Sequence, residues 1–119
     1  PELTKGCAQF AQSCQSELGG YGGEPGNEGH GGYAFNAIAA LAILNRLDLV
    51  DKDLYFRWLC GSQMRLEGGF QGRINKLVDG CYSFWQGAVP AVLSLSGSAD
   101  ASSTATWPSS PSPVASSNA

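Results

Sequence analysis

Displaced by 49 residues, the chain aligns with itself without a gap. The stretch GGYGGEPGNEGHGGYAFNAIAALAIL at 19–44 falls on GGFQGRINKLVDGCYSFWQGAVPAVL at 68–93. Gly19, Gly20, Gly23, Gly31, Tyr33, Phe35, Ala39, Ala42 and Leu44 recur as Gly68, Gly69, Gly72, Gly80, Tyr82, Phe84, Ala88, Ala91 and Leu93. A period of about 50 is the mark of a repeat architecture, in which each unit is one supersecondary piece that buries its apolar face only by stacking on neighbours.

The pattern within each unit predicts an amphipathic helix, a glycine loop and a buried helix. From Leu3 to Gln15, the residues Leu3, Cys7, Phe10, Ala11 and Cys14 recur at helical spacing. Gly19–Gly32 then holds eight glycines and Pro25 in fourteen residues, a composition that breaks regular structure. Tyr33–Leu47 (YAFNAIAALAILNRL) is apolar nearly all round, which predicts a helix buried on every side. Asp51 or Asp53 caps a further helix running to Met64, with Leu54, Tyr55, Trp58 and Leu59 as its apolar stripe. The second loop, Glu67–Gly80, leads into CYSFWQGAVPAVLSL, an inner helix expected to bend at Pro90. Two units cannot cover two such inner helices. The expected fold class is therefore all-α, as part of a larger helical assembly, and the 119 residues alone should fold poorly.

Residues 1–95 carry this pattern, whereas 96–119 are dominated by Ser, Ala and Pro with Asp100 as the single charge, the composition of a disordered tail or insertion. Seven basic against ten acidic residues leave a net charge of -3, which offers no broad cationic surface for nucleic acid. No apolar run approaches the roughly 18 residues of a membrane span, and no leader precedes a small-residue cleavage site, so a soluble, cytoplasmic protein is expected. A start at Pro1 instead of Met points to processing or an incomplete sequence. The four cysteines lack a CxxC pair and read as free thiols, Cys7 and Cys14 as small buried hydrophobes.

Chemistry is expected where the two loops differ. His30 ends the first loop, while Asp79 takes the matching place in the second and Cys81 follows two residues later. Asp79 and Cys81 offer an oxygen and a sulfur, half of a zinc site, although an Asp capping a helix beside a buried Cys is the commoner situation. Arg73 and Lys76, with Tyr82, have the charges and donors to grip a polyphosphate; equally, two loop cations are commonly just solvated. A lone loop histidine such as His30 is more often a surface residue than a catalyst. Tyr33, Phe35, Phe70, Tyr82, Phe84 and Trp85 flank the same rim as an aromatic slot or as ordinary core.

The run EGGFQGRINKLVDGCYSFWQG at 67–87, with GNEGHGGYAFNAIAALAIL before it, resembles the protein prenyltransferase β-subunit family. Its NKLVDGCYSFWQ wording is similar to the farnesyl-transferring members of that family and less so to the geranylgeranyl-transferring ones. The resemblance extends roughly from Thr4 to Leu95. It implies an α/α toroid of helical hairpins around an apolar funnel, paired with a helical α subunit. It also implies transfer of farnesyl from farnesyl diphosphate to the cysteine thiol of proteins ending in a CaaX motif.

By this resemblance Asp79 and Cys81 are two of three Zn2+ ligands, and the third is a histidine of a later repeat. The same resemblance gives the diphosphate to His30, Arg73, Lys76 and Tyr82, and the isoprenoid to Tyr33 and Trp85. Lys76 and Tyr82, with Asp79 and Cys81, are also the expected catalytic residues. Mg2+ on the diphosphate is implied without any ligand being identified. Asn36 and Gly29 depart from the small Cys and the Ala usual in the farnesyl enzymes. Without the third ligand the stretch alone is expected to be inactive. The alternatives are a geranylgeranyl-transferring β subunit and a truncated, non-catalytic helical-repeat piece.

Overall fold

The computed structural model describes residues 2–95; the Ser/Ala/Pro-rich segment 96–119 lies outside the described residues. Its helices are α1 (Cys7–Ser13), α2 (Gly31–Ile43), α3 (Lys52–Ser62), α4 (Cys81–Trp85) and α5 (Val89–Ser94), with short 3-10 turns at Glu2–Thr4 and Leu47–Leu49. The described residues contain helices, loops and three isolated β-bridges, as an all-α repeat requires. None of these helices is long and apolar enough to cross a membrane.

Local chemistry sets the helix ends. The first predicted helix is interrupted at Gly6, whose φ of 84° leaves the helical region, so that a 3-10 turn precedes α1. α2 stops at Ile43 instead of Leu47. Asn45 takes a left-handed φ of 55° there, and the N–H groups of Arg46 and Asn45 donate to the carbonyls of Leu41 and Ala42 at 2.8 and 3.0 Å. This paired closure is a Schellman motif, and it satisfies carbonyls that a longer helix would otherwise need. Of the two candidate caps for α3, Asp51 serves, its Oδ1 accepting from Leu54 N–H at 3.0 Å. The second inner helix is broken rather than bent. Pro90 sits in the first turn of α5, and the break falls at 86–88, one turn earlier, because proline has no N–H for the preceding turn and crowds its carbonyl.

α2 packs against α1, α4 and α5. Its buried stripe is Gly31, Ala34, Ile38 and Leu41 at helical spacing, whereas Tyr33 is 50% and Ile43 85% exposed. Burial on every side is thus not reached within the described residues, because two units supply neighbours to one face only. Tyr21, Tyr55, Ile38, Leu41 and Val89 are fully buried at the centre of the core. Cys14 joins this core as expected, but Cys7 is exposed, and all four cysteines are free.

The repeat is stamped into the loops bond by bond. His30 N–H donates to the Tyr21 carbonyl at 2.9 Å, and Asp79 N–H donates to the Phe70 carbonyl at 3.2 Å. Each loop is also tied to the helix before it, through Gly22 N–H to Cys14 O at 2.9 Å and Gln71 N–H to Ser62 O at 3.0 Å. These bonds carry His30 and Asp79 to the ends of their loops, where α2 and α4 begin.

Candidate functional site

His30 is both the cap of α2 and the link to the second unit. Its Nδ1 accepts from Gly32 N–H at 3.1 Å, and its Nε2 lies 3.1 Å from the Tyr82 hydroxyl oxygen. Because Nδ1 accepts, the neutral ring carries its hydrogen on Nε2 and donates it to Tyr82. The hydroxyl hydrogen of Tyr82 is then left to point at another acceptor. Burial, and next the positive charge of Arg73, hold His30 below its ordinary value of 6.5, with Glu28 pulling the other way. The neutral form is the resting one near pH 7.

Tyr82 reaches His30 because the chain is bare beneath it: a Cβ on Gly72 would collide with the tyrosine ring. The first unit repeats the device at Gly23, where a Cβ would lie 3.2 Å from Cζ of Tyr33. The two tyrosines bracket the imidazole, with ring centroids 5.3 Å (Tyr33) and 5.5 Å (Tyr82) from it. Gly31 N–H donates to the Gly72 carbonyl at 3.0 Å and ties the two loops together.

A pocket of about 640 Å3 opens beside this group, lined by Gly23, Glu24, Asn27, Glu28, His30, Tyr33 and Arg73. It abuts a second hollow of about 590 Å3, whose wall includes Phe10, Cys14, Ala37, Ala40 and Asn36. Gly23 and Tyr33 belong to both. A polar pocket with one guanidinium, one imidazole and the two carboxylates of Glu24 and Glu28 is therefore joined to a largely apolar hollow, an arrangement suited to a ligand with a polar head and a hydrocarbon tail.

The other expected residues are placed less uniformly. Lys76 lies in an exposed turn closed by its N–H to the Arg73 carbonyl at 3.3 Å, and it takes no part in the pocket lining. Trp85 is half-buried with Phe35 at 5.4 Å and Phe84 at 5.1 Å, an aromatic cluster separate from Tyr33.

Asp79 Oδ1 accepts from Cys81 N–H at 3.0 Å. That backbone donor, and then the Cys81 thiol, hold the carboxyl below the usual range. Partial desolvation, then the Asp79 carboxylate, push the thiol up. Cys81 is exposed, which removes the reading of a buried thiol beside a cap. The backbone bond from Cys81 N–H to Asp79 keeps the carboxylate beside the residue that carries the thiol, and an oxygen–sulfur pair suits a borderline-soft metal such as zinc. Among the described residues no group of three metal-binding side chains forms around them.

Sequence reasoning missed Glu24, Asn27 and Glu28, since nothing in a glycine loop announces which polar side chains turn inward. It also missed Gln86, fully buried between α4 and α5, where an amide in an otherwise apolar stretch was the available signal.

The fold agrees with what comparison with known proteins finds. Residues 2–111 match the family described as the prenyltransferase alpha-alpha toroid domain, and the chain belongs to that family. It is 51% identical over 92 residues to protein farnesyltransferase subunit beta of Arabidopsis thaliana, covering 77% of this chain and 19% of that protein. Identity to the same subunit of Pisum sativum is 44% over 92 residues, 77% of this chain and 22% of the relative. A shorter match, 49% over 41 residues, joins it to the geranylgeranyl transferase type-1 subunit beta of Arabidopsis thaliana, covering 34% of this chain and 11% of that one. The chain spans about a fifth of the length of the two farnesyltransferase subunits.

Proposed function

We propose that these repeats form part of the catalytic β subunit of a zinc-dependent protein farnesyltransferase. The observation that carries the reading is the junction at Tyr33 between a polar pocket and an apolar hollow, in which Arg73 and His30 would take the diphosphate, beside Glu24 and Glu28, and the hollow the isoprenoid. Similarity to the named farnesyltransferase β subunits supports it.

In the proposed reaction the sulfur of a CaaX cysteine attacks C1 of the isoprenoid. The C1–O bond breaks, a C–S thioether bond forms, and the electron pair leaves with the diphosphate. His30 donates from Nε2 to Tyr82 and leaves the phenol hydrogen for a diphosphate oxygen. Arg73 adds its charge from the second loop, and Lys76 does so from the neighbouring turn. Such fixed donors act where the leaving group gathers charge, and they need no rearrangement at that moment. Asp79 and Cys81 would hold Zn2+ with a ligand from elsewhere in the protein; the chemistry supplied there is conversion of the incoming thiol to thiolate near neutral pH. Mg2+ would accompany the diphosphate. Tyr33 and Trp85 would face the isoprenoid, whose partly cationic allylic carbon aromatic faces tolerate. An α-subunit partner and a cytoplasmic setting complete the proposal.

A geranylgeranyl donor is the second reading, favoured by the shorter match to a geranylgeranyl transferase β subunit. The test is product analysis with the full-length protein and its α subunit, offered a CaaX peptide and equal farnesyl and geranylgeranyl diphosphates. The farnesyl thioether should dominate. A geranylgeranyl product would establish the second reading, and a folded heterodimer that transfers neither would overturn both.

A further inference from the structure

Gln86 has no exposed surface, yet it sits where the repeat places Ala37 in the first unit. Its Nε2 donates to Ser62 Oγ at 2.7 Å and to the Gln71 carbonyl at 3.0 Å. Both partners demand a donor. The Ser62 hydroxyl already donates to the Leu59 carbonyl at 2.7 Å, and a carbonyl can only accept. The amide orientation is thereby settled, and Oε1 faces Gly31, where it has no hydrogen-bond partner among the described residues. A buried acceptor left unmatched is destabilising, so an apolar side chain of the same size would serve a mere core position better.

What the amide does is close a circuit of short contacts. Gln86 grips the carbonyl of Gln71; the next carbonyl, that of Gly72, accepts from Gly31 N–H; and Gly31 follows His30. On the other side Gln86 N–H donates to the Tyr82 carbonyl at 2.9 Å, one turn back. Tyr82 Oη and His30 Nε2 complete the ring. A shift of the second loop relative to α4 would move Gly31, and with it His30, away from the phenol.

We infer that Gln86 is a positioning residue: its side-chain amide locks the second glycine loop to α4 and so keeps Tyr82 within hydrogen-bonding distance of His30. It touches neither of the two pockets that meet at Tyr33. Its influence on a ligand passes through the His30–Tyr82 pair, and only the binding arm of the test below rests on the diphosphate reading.

The decisive variant is Gln86→Met in the full-length protein with its α subunit, which removes both amide bonds at nearly constant volume. Imidazole 15N shifts of histidine-labelled protein read the tautomer, and the His30 signal is identified by its loss in His30→Asn. Wild type should show the hydrogen on Nε2 alone. Gln86→Met should keep that tautomer, which Gly32 N–H fixes at Nδ1, but shift the Nε2 resonance as its bond to Tyr82 is lost, and it should weaken binding of inorganic diphosphate about fivefold, the scale of one or two hydrogen bonds. In a His30→Asn background the same change should cost less than about twofold, because a residue that acts through His30 has nothing left to act on.

An unchanged His30 signal in Gln86→Met overturns the inference, as does a full fivefold loss in the His30→Asn background. If Gln86→Met does not fold, Ser62→Ala removes one of the amide's two acceptors and must shift the same signal in the same direction; no shift is equally fatal. Diphosphate binding that ignores His30→Asn, with the Nε2 shift in Gln86→Met intact, would overturn the diphosphate reading and leave the role of Gln86 standing.

Discussion

The Tyr82 hydroxyl meets His30 Nε2 at 3.1 Å across 52 residues of chain, and the bond joins the capping residue of one repeat unit to the first turn of α4 in the next. Neither side chain reaches the other without help. Gly72 leaves room for the phenol ring, and the Gly31–Gly72 bond holds the two loops side by side.

Removing the phenol hydrogen tests what that pair is for. In Tyr82→Phe the ring still fills the space over Gly72, so folding should be kept, while retention of inorganic diphosphate by the full-length protein should fall about tenfold. Calorimetric titration of both proteins measures it. Unaltered affinity would mean that Tyr82 only orients His30.

Acid should loosen the first loop. His30 lies below 6.5 when folded, so between that lower value and 6.5 the unfolded chain binds the extra proton. The stabilisation is complete above 6.5 and is lost as the pH falls through this window. Denaturant titrations from pH 7.5 to 5 should show the decline, and His30→Asn should flatten it, since asparagine caps helices but does not titrate. An identical pH slope in the variant would rule out His30 as the source.

Two glycine-to-alanine changes should act in opposite directions. At Gly72 a Cβ runs into Tyr82, so Gly72→Ala should cost about 1–3 kcal/mol through overpacking. Gly61, inside α3, has nothing within 4 Å, and Gly61→Ala should gain about 0.5–1 kcal/mol from helix propensity alone. Thermal unfolding of the full-length protein compares them. Equal shifts for both would contradict the close approach at Gly72.

Zinc content checks the Asp79–Cys81 pair. Full-length protein should retain about one equivalent, and Cys81→Ala should lose most of it after dialysis against a mild chelator. Asp79→Asn should lower it less, because the amide oxygen remains a weak donor. Wild-type zinc in Cys81→Ala would show that the metal sits elsewhere.

The residues alone announce the repeat and the order of helix and loop. They do so because these features are local. A glycine loop, the Asp51 cap and a run such as Ala34–Leu41 act through backbone sterics and hydrogen bonds within a few residues. The motif resemblance likewise singles out His30, Tyr33, Arg73, Lys76, Tyr82, Trp85 and Asp79-x-Cys81 as candidates, from their own wording alone.

What only the tertiary structure decided is which of these side chains meet. Arg73 and Lys76 are three residues apart, yet Arg73 alone lines the pocket, because the turn at Asn75, with φ 61°, separates them. Tyr33 and Trp85 share an expected role but stand in different aromatic groups. The inner-helix break at 86–88, the exposure of one flank of α2, and the closure of His30, Tyr82 and Gln86 into one circuit all depend on how two units stack. Such contacts join residues about fifty positions apart, and no local rule of spacing or propensity specifies them.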